Sequence, residues 1–135
     1  MKKIFLDSDI ILDALLKRPG VMVPAINTIR LSGQSNFKLI TSSVAFVNVH
    51  YFLDKFDRPN KFKLLTYIRS VMSIAEVSEV IIDAALKSGL PDFEDAVQYY
   101  AALNAKADVI ITRNIKDYKH STIPVLTAEQ FLRTL

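Results

Sequence analysis

The sequence predicts an α/β fold, a three-layer α/β/α sandwich with a mostly parallel central sheet. Short apolar runs typical of buried strands alternate along the chain with longer stretches of helical spacing. Half of the 135 residues are hydrophobic, which is enough to bury a core beneath helices on both faces of a sheet. Only three glycines and five prolines occur, and no linker stands out. We therefore expect one domain spanning residues 1–135.

The predicted strands are short and apolar. Residues 4–6 form an apolar run that ends in acids, and residues 109–112 (VIIT) are the clearest buried strand of the chain. Further strands are expected at residues 37–41, 73–77 and 124–126. Because helical segments separate these strands, crossover connections and parallel pairing are expected.

Helices are expected between the strands, and capping residues predict where several of them begin. Ser42 or Ser43 suits the N-cap of the third helix, Ser78 that of the fifth and Asp92 that of the sixth, while a capping box opens at Thr127. The predicted helices are, in chain order, 10–16, 24–32, 43–55, 61–72, 79–87, 93–104 and the stretch that follows residue 127.

Polar side chains follow two of the predicted strands. Asp7 comes directly after the first strand, and Thr112, Arg113 and Asn114 end or follow the strand at residues 109–112. In parallel sheets, ligand sites lie beyond the carboxyl ends of the strands. We therefore expect both groups at the same edge of the sheet.

Composition excludes several classes of site. The absence of cysteine rules out disulfides, thiolate catalysis and cysteine-based zinc sites. Asp7, Asp9 and Asp13 interrupt any signal-peptide core, and no apolar run approaches the roughly 20 residues that span a bilayer. We expect a soluble cytoplasmic protein without membrane partners. The formal net charge of +3 is compatible with a polyanionic partner.

The acids near the N-terminus have different expected roles. Burial of an acid beside a strand is costly unless the acid is solvated, paired or bound to metal, so Asp7 is the better ligand candidate. Asp9 is assigned to helix capping or another structural role. Asp13 lies inside the first helix and is expected on a solvated face.

A second group of acids opens the helix after Pro91. Three acids in a first helical turn favour the helix macrodipole, which by itself accounts for their presence. Asp92 suits the N-cap and Glu94 a surface position. Asp95 precedes an apolar pair on the turn that enters the core, and we expect its carboxylate to point toward the sheet edge.

Four motifs in order along the chain resemble those of PIN domains, the fold of VapC-type toxins and related ribonucleases. The resemblance covers nearly the whole chain. The motifs are KIFLDSDIIL at residues 3–12, TSSVAFVNVHY at 41–51, DFEDA at 92–96 and VIITRN at 109–114, the last followed by Asp117 and Tyr118.

The resemblance implies an endoribonuclease that uses Mg²⁺ or Mn²⁺ to hydrolyse RNA phosphodiester bonds. Asp7 and Asp95 match the metal-binding acids of the first and third motifs. Asn114 occupies the usual position of the fourth acid, and Asp117 follows three residues later, so both are candidate ligands. An ion held by Asp7, Asp95 and Asp117 would polarise the phosphate and activate water.

Other residues of the motifs are expected to support this site. Ser8, Asn48 and Thr112 are candidates to hydrogen-bond the carboxylates, and Arg113 and Lys116 are candidates to neutralise substrate phosphates. Asn48 departs from the family, which usually has Glu there. Since an amide carries no charge and cannot act as a base near neutral pH, weak metal binding is expected before substrate arrives.

Two alternatives remain open. A PIN-like module that binds RNA or protein without cutting is consistent with Asn48. A phosphatase of the haloacid-dehalogenase type is consistent with Asp7-Ser8-Asp9 after a strand, although its downstream motifs are missing. If the chain is a VapC-like toxin, the resemblance also implies a homodimer and a cognate antitoxin.

Overall fold

The computed structural model describes residues Met1–Leu135 and contains a five-stranded sheet with strand order β3-β2-β1-β4-β5. Every neighbouring pair is parallel, so the predicted α/β class is confirmed and the sheet is wholly parallel. The strands are β1 (Lys2–Leu6), β2 (Phe37–Ser42), β3 (Ser73–Ala75), β4 (Val109–Ile111) and β5 (Val125–Leu126). The helices are α1 (Ser8–Leu15), α2 (Met22–Arg30), α3 (Ser43–Phe56), α4 (Lys61–Val71), α5 (Glu79–Lys87), α6 (Phe93–Asn104) and α7 (Ala128–Leu132).

Alternate residues of the strands enter two hydrophobic clusters, one on each face of the sheet. Ile4 and Leu6 belong to a cluster of 19 buried residues that includes side chains of α1 to α4 and α7. Phe5 lies between them in sequence and joins a second cluster of 14 buried residues, shared with α5 and α6. Because successive side chains of a strand point to opposite faces, helices cover the sheet on both sides and form the expected three layers.

Several predicted helix ends are confirmed by their capping contacts. Ser42, Asp92 and Thr127 each accept a hydrogen bond from a backbone amide in the first turn of their helix. Ser78 occupies the N-cap of α5, but its side chain makes no capping hydrogen bond. The helix expected from Pro24 begins earlier, at Met22, and a 3₁₀ turn (Leu31–Gly33) follows it.

The structure identifies the N-cap of α1 and corrects one expectation for this helix. The helix begins at Ser8, so Asp7 rather than Asp9 is its N-cap. Asp13, expected on a solvated face, is 1% exposed. The guanidinium groups of Arg18 and Arg113 approach its carboxylate to 3.2 and 2.7 Å, and they offset the cost of burying this charge. Helical spacing alone did not indicate that the loops carrying Arg18 and Arg113 would cover Asp13.

None of the seven helices combines the length with the apolar character that crossing a bilayer would require.

Candidate metal centre

The carboxyl ends of β1 and β4 bring distant polar residues together. Leu6 pairs with Ile111 in the sheet, and the Asp7 backbone amide donates to the Ile111 carbonyl at 3.0 Å. The next residue along each strand therefore lies at the same edge, where the Thr112 hydroxyl donates to Asp7 Oδ2 at 3.0 Å. The expected meeting of Asp7 with the loop after β4 is confirmed.

Four donors surround the Asp7 carboxylate. Oδ1 accepts from the Ser8 backbone amide at 2.7 Å and from Gln98 Nε2 at 3.3 Å. Oδ2 accepts from the hydroxyls of Thr112 at 3.0 Å and Tyr118 at 3.2 Å. Ser8 thus contributes through its backbone rather than through its hydroxyl. These contacts fix the orientation of Asp7 with neutral groups from α1, α6 and the segment after β4.

Gln98 and Tyr118 contact the site but were not among the predicted site residues. Gln98 is 1% exposed, and its side-chain oxygen accepts a hydrogen bond from the Ser42 hydroxyl. Ser42 Oγ in turn accepts from the Ala45 backbone amide at 2.9 Å. This arrangement directs the Gln98 NH₂ group toward Asp7. The sequence signal that could have found Gln98 is an amide between the apolar residues Val97 and Tyr99.

Asp9 ties the loop after β4 to the start of α1. Its Oδ2 accepts from the Arg113 backbone amide at 3.1 Å and lies 3.5 Å from Asn114 Nδ2. Its Oδ1 is buried and has no hydrogen-bond partner. Burial and then the charge of Asp7 raise the pKa of Asp9 to about 6. Asp9 therefore has the structural role that was expected, although it is not a cap.

Asp95 and Asp117 line a shared cavity of about 490 Å³ beside this edge. Burial and then the charges of four carboxylates raise the pKa of Asp95 to about 7. Those carboxylates are, in decreasing order of effect, Asp92, Asp117, Asp7 and Glu94. The polar lining of the cavity is Asp92, Asp95, Lys116, Asp117, Lys119 and His120. On α6, Asp95 lies three residues before Gln98, whose side chain contacts Asp7.

Asn48 does not contact the Asp7 or Asp95 carboxylate. Its Nδ2 donates to Glu94 Oε1 at 2.6 Å, joining α3 to the first turn of α6. Burial, followed by the charges of Asp7 and Asp92, raises the pKa of Glu94, and the Asn48 hydrogen bond opposes this shift. Glu94 is exposed, as expected of a surface residue, and it also lies near the same group of carboxylates. We call Asp7, Asp9, Glu94, Asp95 and Asp117 the acidic edge.

The predicted phosphate-binding residues lie close to this edge. Lys116 opens onto the cavity that holds Asp95 and Asp117. Arg113 is 43% exposed, and its Nε lies 2.7 Å from Asp13, so a buried acid anchors its guanidinium group. His50 stacks on Phe62 with ring centroids 5.9 Å apart, which is a packing contact.

The acidic edge carries negative charge that the protein does not neutralise. All five ion pairs in the structure use other acids, namely Asp13, Asp54 and Glu129. Oxygen ligands of this kind suit Mg²⁺ or Mn²⁺, and the buried, unpartnered Asp9 Oδ1 also favours a cation nearby. No three acidic or histidine side chains stand close enough together to enclose an ion. The donor set therefore fits a divalent cation that keeps several water ligands.

Comparison with known proteins agrees with this geometry. The family model described as "PIN domain" matches residues 3–116. Ribonuclease VapC1 of Aquifex aeolicus (strain VF5) is 32% identical over 138 residues, covering 96% of this chain and 93% of that protein. These matches leave the phosphatase interpretation without support.

Solved structures share the fold at low sequence identity. VapBC-1 from nontypeable Haemophilus influenzae gives a TM-score of 0.70 at 18% identity, covering 94% of this chain and 98% of that one. A toxin-antitoxin complex from Klebsiella pneumoniae gives a TM-score of 0.68 at 20% identity, covering 92% and 96%. At these identities the likeness supports the three-layer architecture alone.

Proposed function

Because this chain belongs to the PIN domain family, we propose that it is an endoribonuclease that hydrolyses RNA phosphodiester bonds with Mg²⁺ or Mn²⁺. One observation supports the proposal: Gln98 on α6 contacts Asp7, Asp95 lies three residues before Gln98 on the same helix, and neither acid forms an ion pair with a cationic side chain. The similarity to Ribonuclease VapC1 supports the reaction class.

We assign the ion to Asp7 and Asp95, and Asp117 would orient its water or complete its shell through water, because no three acidic side chains stand close enough together to enclose an ion. When bound, it would supply charge stabilisation to the phosphate and lower the pKa of a water molecule. Thr112 and Gln98 hold the two oxygens of Asp7 in place, so that this ligand is oriented before substrate arrives. Asn114 presents its NH₂ group to Asp9, so its carbonyl is the part of the amide left for a ligand role.

Cationic side chains next to the acidic edge suit the phosphates of the substrate. Lys116 and Lys119 line the cavity that contains Asp95, and the Arg113 guanidinium group is held nearby by Asp13. Ammonium and guanidinium groups neutralise backbone phosphates without reading base identity. We therefore propose that these residues bind RNA on either side of the cleaved bond.

The family membership also bears on which proteins this chain binds. The toxin-antitoxin complex from Klebsiella pneumoniae shares the fold. We propose that this chain is the toxin of such a pair, acts in the cytoplasm as a homodimer, and is blocked by an antitoxin. If a small gene lies next to the gene of this chain, copurification of the two products is the corresponding test.

Asn48 favours a second candidate, a binding module that retains the fold without cutting. Its amide replaces a family carboxylate and supplies no charge to the site. RNA binding would then persist, and Mn²⁺ would not lead to cleavage.

A cleavage assay distinguishes the two candidates. Purified protein and Asp7→Asn are incubated with single-stranded RNA, with Mn²⁺ or with a chelator. We expect fragments from the unchanged protein only when Mn²⁺ is present, and a rate at least about 100-fold lower for Asp7→Asn. Equal background from both proteins would support the binding module.

A further inference from the structure

The departure at Asn48 coincides with an unusual contact. In the PIN motif that this segment resembles, a Glu usually occupies this position of α3. Here the amide donates instead to Glu94 Oε1 at 2.6 Å, across the gap between α3 and α6. The replacement therefore removes a carboxylate from α3 and places a hydrogen-bond donor against a carboxylate of α6.

Glu94 lies on the side of α6 that faces the site. Gln98 follows it by four residues, and side chains at this spacing share one face of a helix. Gln98 Nε2 contacts Asp7 Oδ1 at 3.3 Å. Glu94 lies one turn earlier on this face of α6, so it is on the side of the helix that faces the acidic edge. Asp95, the next residue, lines the adjoining cavity.

The Glu94 carboxylate has an oxygen that is free to coordinate an ion. Asn48 contacts Oε1 alone, and neither oxygen forms an ion pair with Lys or Arg. A long glutamate side chain ordinarily loses rotamer freedom when it binds an ion. The hydrogen bond from Asn48 restricts that freedom in advance and leaves Oε2 available.

We propose that Glu94 is a ligand of the divalent-ion site, in place of the carboxylate that PIN relatives carry at position 48, and that Asn48 orients it. The inference rests on the proposed function, since it concerns the same ion. Two residues thus take the role of one glutamate at position 48. Glu94 on α6 supplies the negative charge, and Asn48 on α3 orients the Glu94 side chain. The acidic edge therefore keeps a carboxylate in place of the one missing at position 48, although that carboxylate does not come from α3.

Mn²⁺ titration of the full-length protein, followed by calorimetry, tests the proposal without any cleavage assay. We expect Glu94→Gln to weaken Mn²⁺ binding at least about tenfold. The matched control is Glu79→Gln, because Glu79 is also an exposed acid in a first helical turn, at the start of α5. Its affinity should equal that of the unchanged protein. Glu94 is itself exposed, so thermal unfolding should show both variants folded.

A charge swap gives the sharper result. Asn48→Glu combined with Glu94→Gln should recover most of the lost affinity, because it returns the carboxylate to α3. Asp7→Asn should abolish binding in every background. If Glu94→Gln binds Mn²⁺ as well as the unchanged protein while Asp7→Asn does not bind, or if the swap recovers nothing, the Glu94 assignment is overturned and the proposed function stands. If the unchanged protein binds no Mn²⁺, both are overturned.

Discussion

The acids of this protein have three different kinds of surroundings. Asp13 is buried against two guanidinium groups, whereas Asp7 is held by four neutral donors. Asp95 forms no ion pair, and burial together with the charges of neighbouring carboxylates raises its pKa to about 7. The first arrangement stabilises the fold. The other two leave a negative site that a divalent ion would neutralise.

The Asp13 ion pairs should contribute measurably to stability. We expect Asp13→Asn to lower the free energy of unfolding by about 2–3 kcal/mol, because it leaves two positive groups without their buried partner. The value is below the full cost of an orphaned buried charge, since Arg18 and Arg113 are 31% and 43% exposed and can regain water.

Asp54→Asn is the control for this measurement. Asp54 contacts Arg58 and Lys61 on the surface, and such exposed pairs contribute under about 1 kcal/mol. Urea unfolding at neutral pH compares the two variants. Equal losses would contradict a structural role for the buried pairs.

Asp95 should make the metal-free protein less stable as pH rises. Its pKa of about 7 in the folded protein exceeds the ordinary value of 3.8, so the folded state binds more protons between these values. Stability contributed by this group is therefore present at pH 4 and declines as pH rises toward 7. We expect Asp95→Asn to be more stable than the unchanged protein at pH 8 and equal to it near pH 4.

Thermal unfolding in chelator across this pH range measures the difference. Asp83→Asn removes an exposed charge from α5 and serves as the control. A constant difference between Asp95→Asn and the unchanged protein at all pH values would argue against a raised pKa. Added Mn²⁺ should reverse the order at pH 8, because only the unchanged protein keeps all of the assigned ligands.

At the level of elements, the site depends on how β2, α3 and α6 are tied together. Ser42 ends β2, caps α3 and donates to Gln98 of α6, which contacts Asp7 after β1. A buried chain of hydrogen bonds therefore links elements that are far apart in sequence. Because each polar group in it is satisfied only by its neighbour, the chain fixes the position of α6 relative to the sheet edge.

Ser42→Ala should cost more than the loss of an ordinary helix cap. We expect a decrease of about 2–3 kcal/mol in the free energy of unfolding, from the lost cap together with a buried Gln98 oxygen left without a donor. Thr127→Ala removes the cap of the short helix α7 at an exposed site and should cost about 1 kcal/mol. Similar losses in urea unfolding would mean that the Gln98 contact adds nothing.

The elements were predictable from the sequence because periodicity and capping are local. The helix at residues 79–87 and the caps at Asp92 and Thr127 occur as expected. The side-chain network was not predictable, because it depends on which loops and helices fold over each acid. Helical spacing did not show that Asp13 would be enclosed, and first-turn acidity alone did not predict the hydrogen bond between Asn48 and the exposed Glu94.

For the molecule as a whole, the net charge and the charge of the acidic edge have opposite signs. The net charge is +3, which favours the approach of a polyanion, yet the acidic edge is negative. RNA phosphate would be repelled there unless a cation intervened. The family membership, the parallel sheet and the contact of α6 with Asp7 through Gln98, three residues after Asp95, all support the same proposal.

The most direct measurement is an anomalous difference map from crystals of the protein soaked in Mn²⁺. The account predicts one strong peak at the carboxyl end of β1, with oxygens of both Asp7 and Asp95 among the ligands of the ion. Mn²⁺ bound elsewhere, with neither carboxylate in contact with it, would contradict the account.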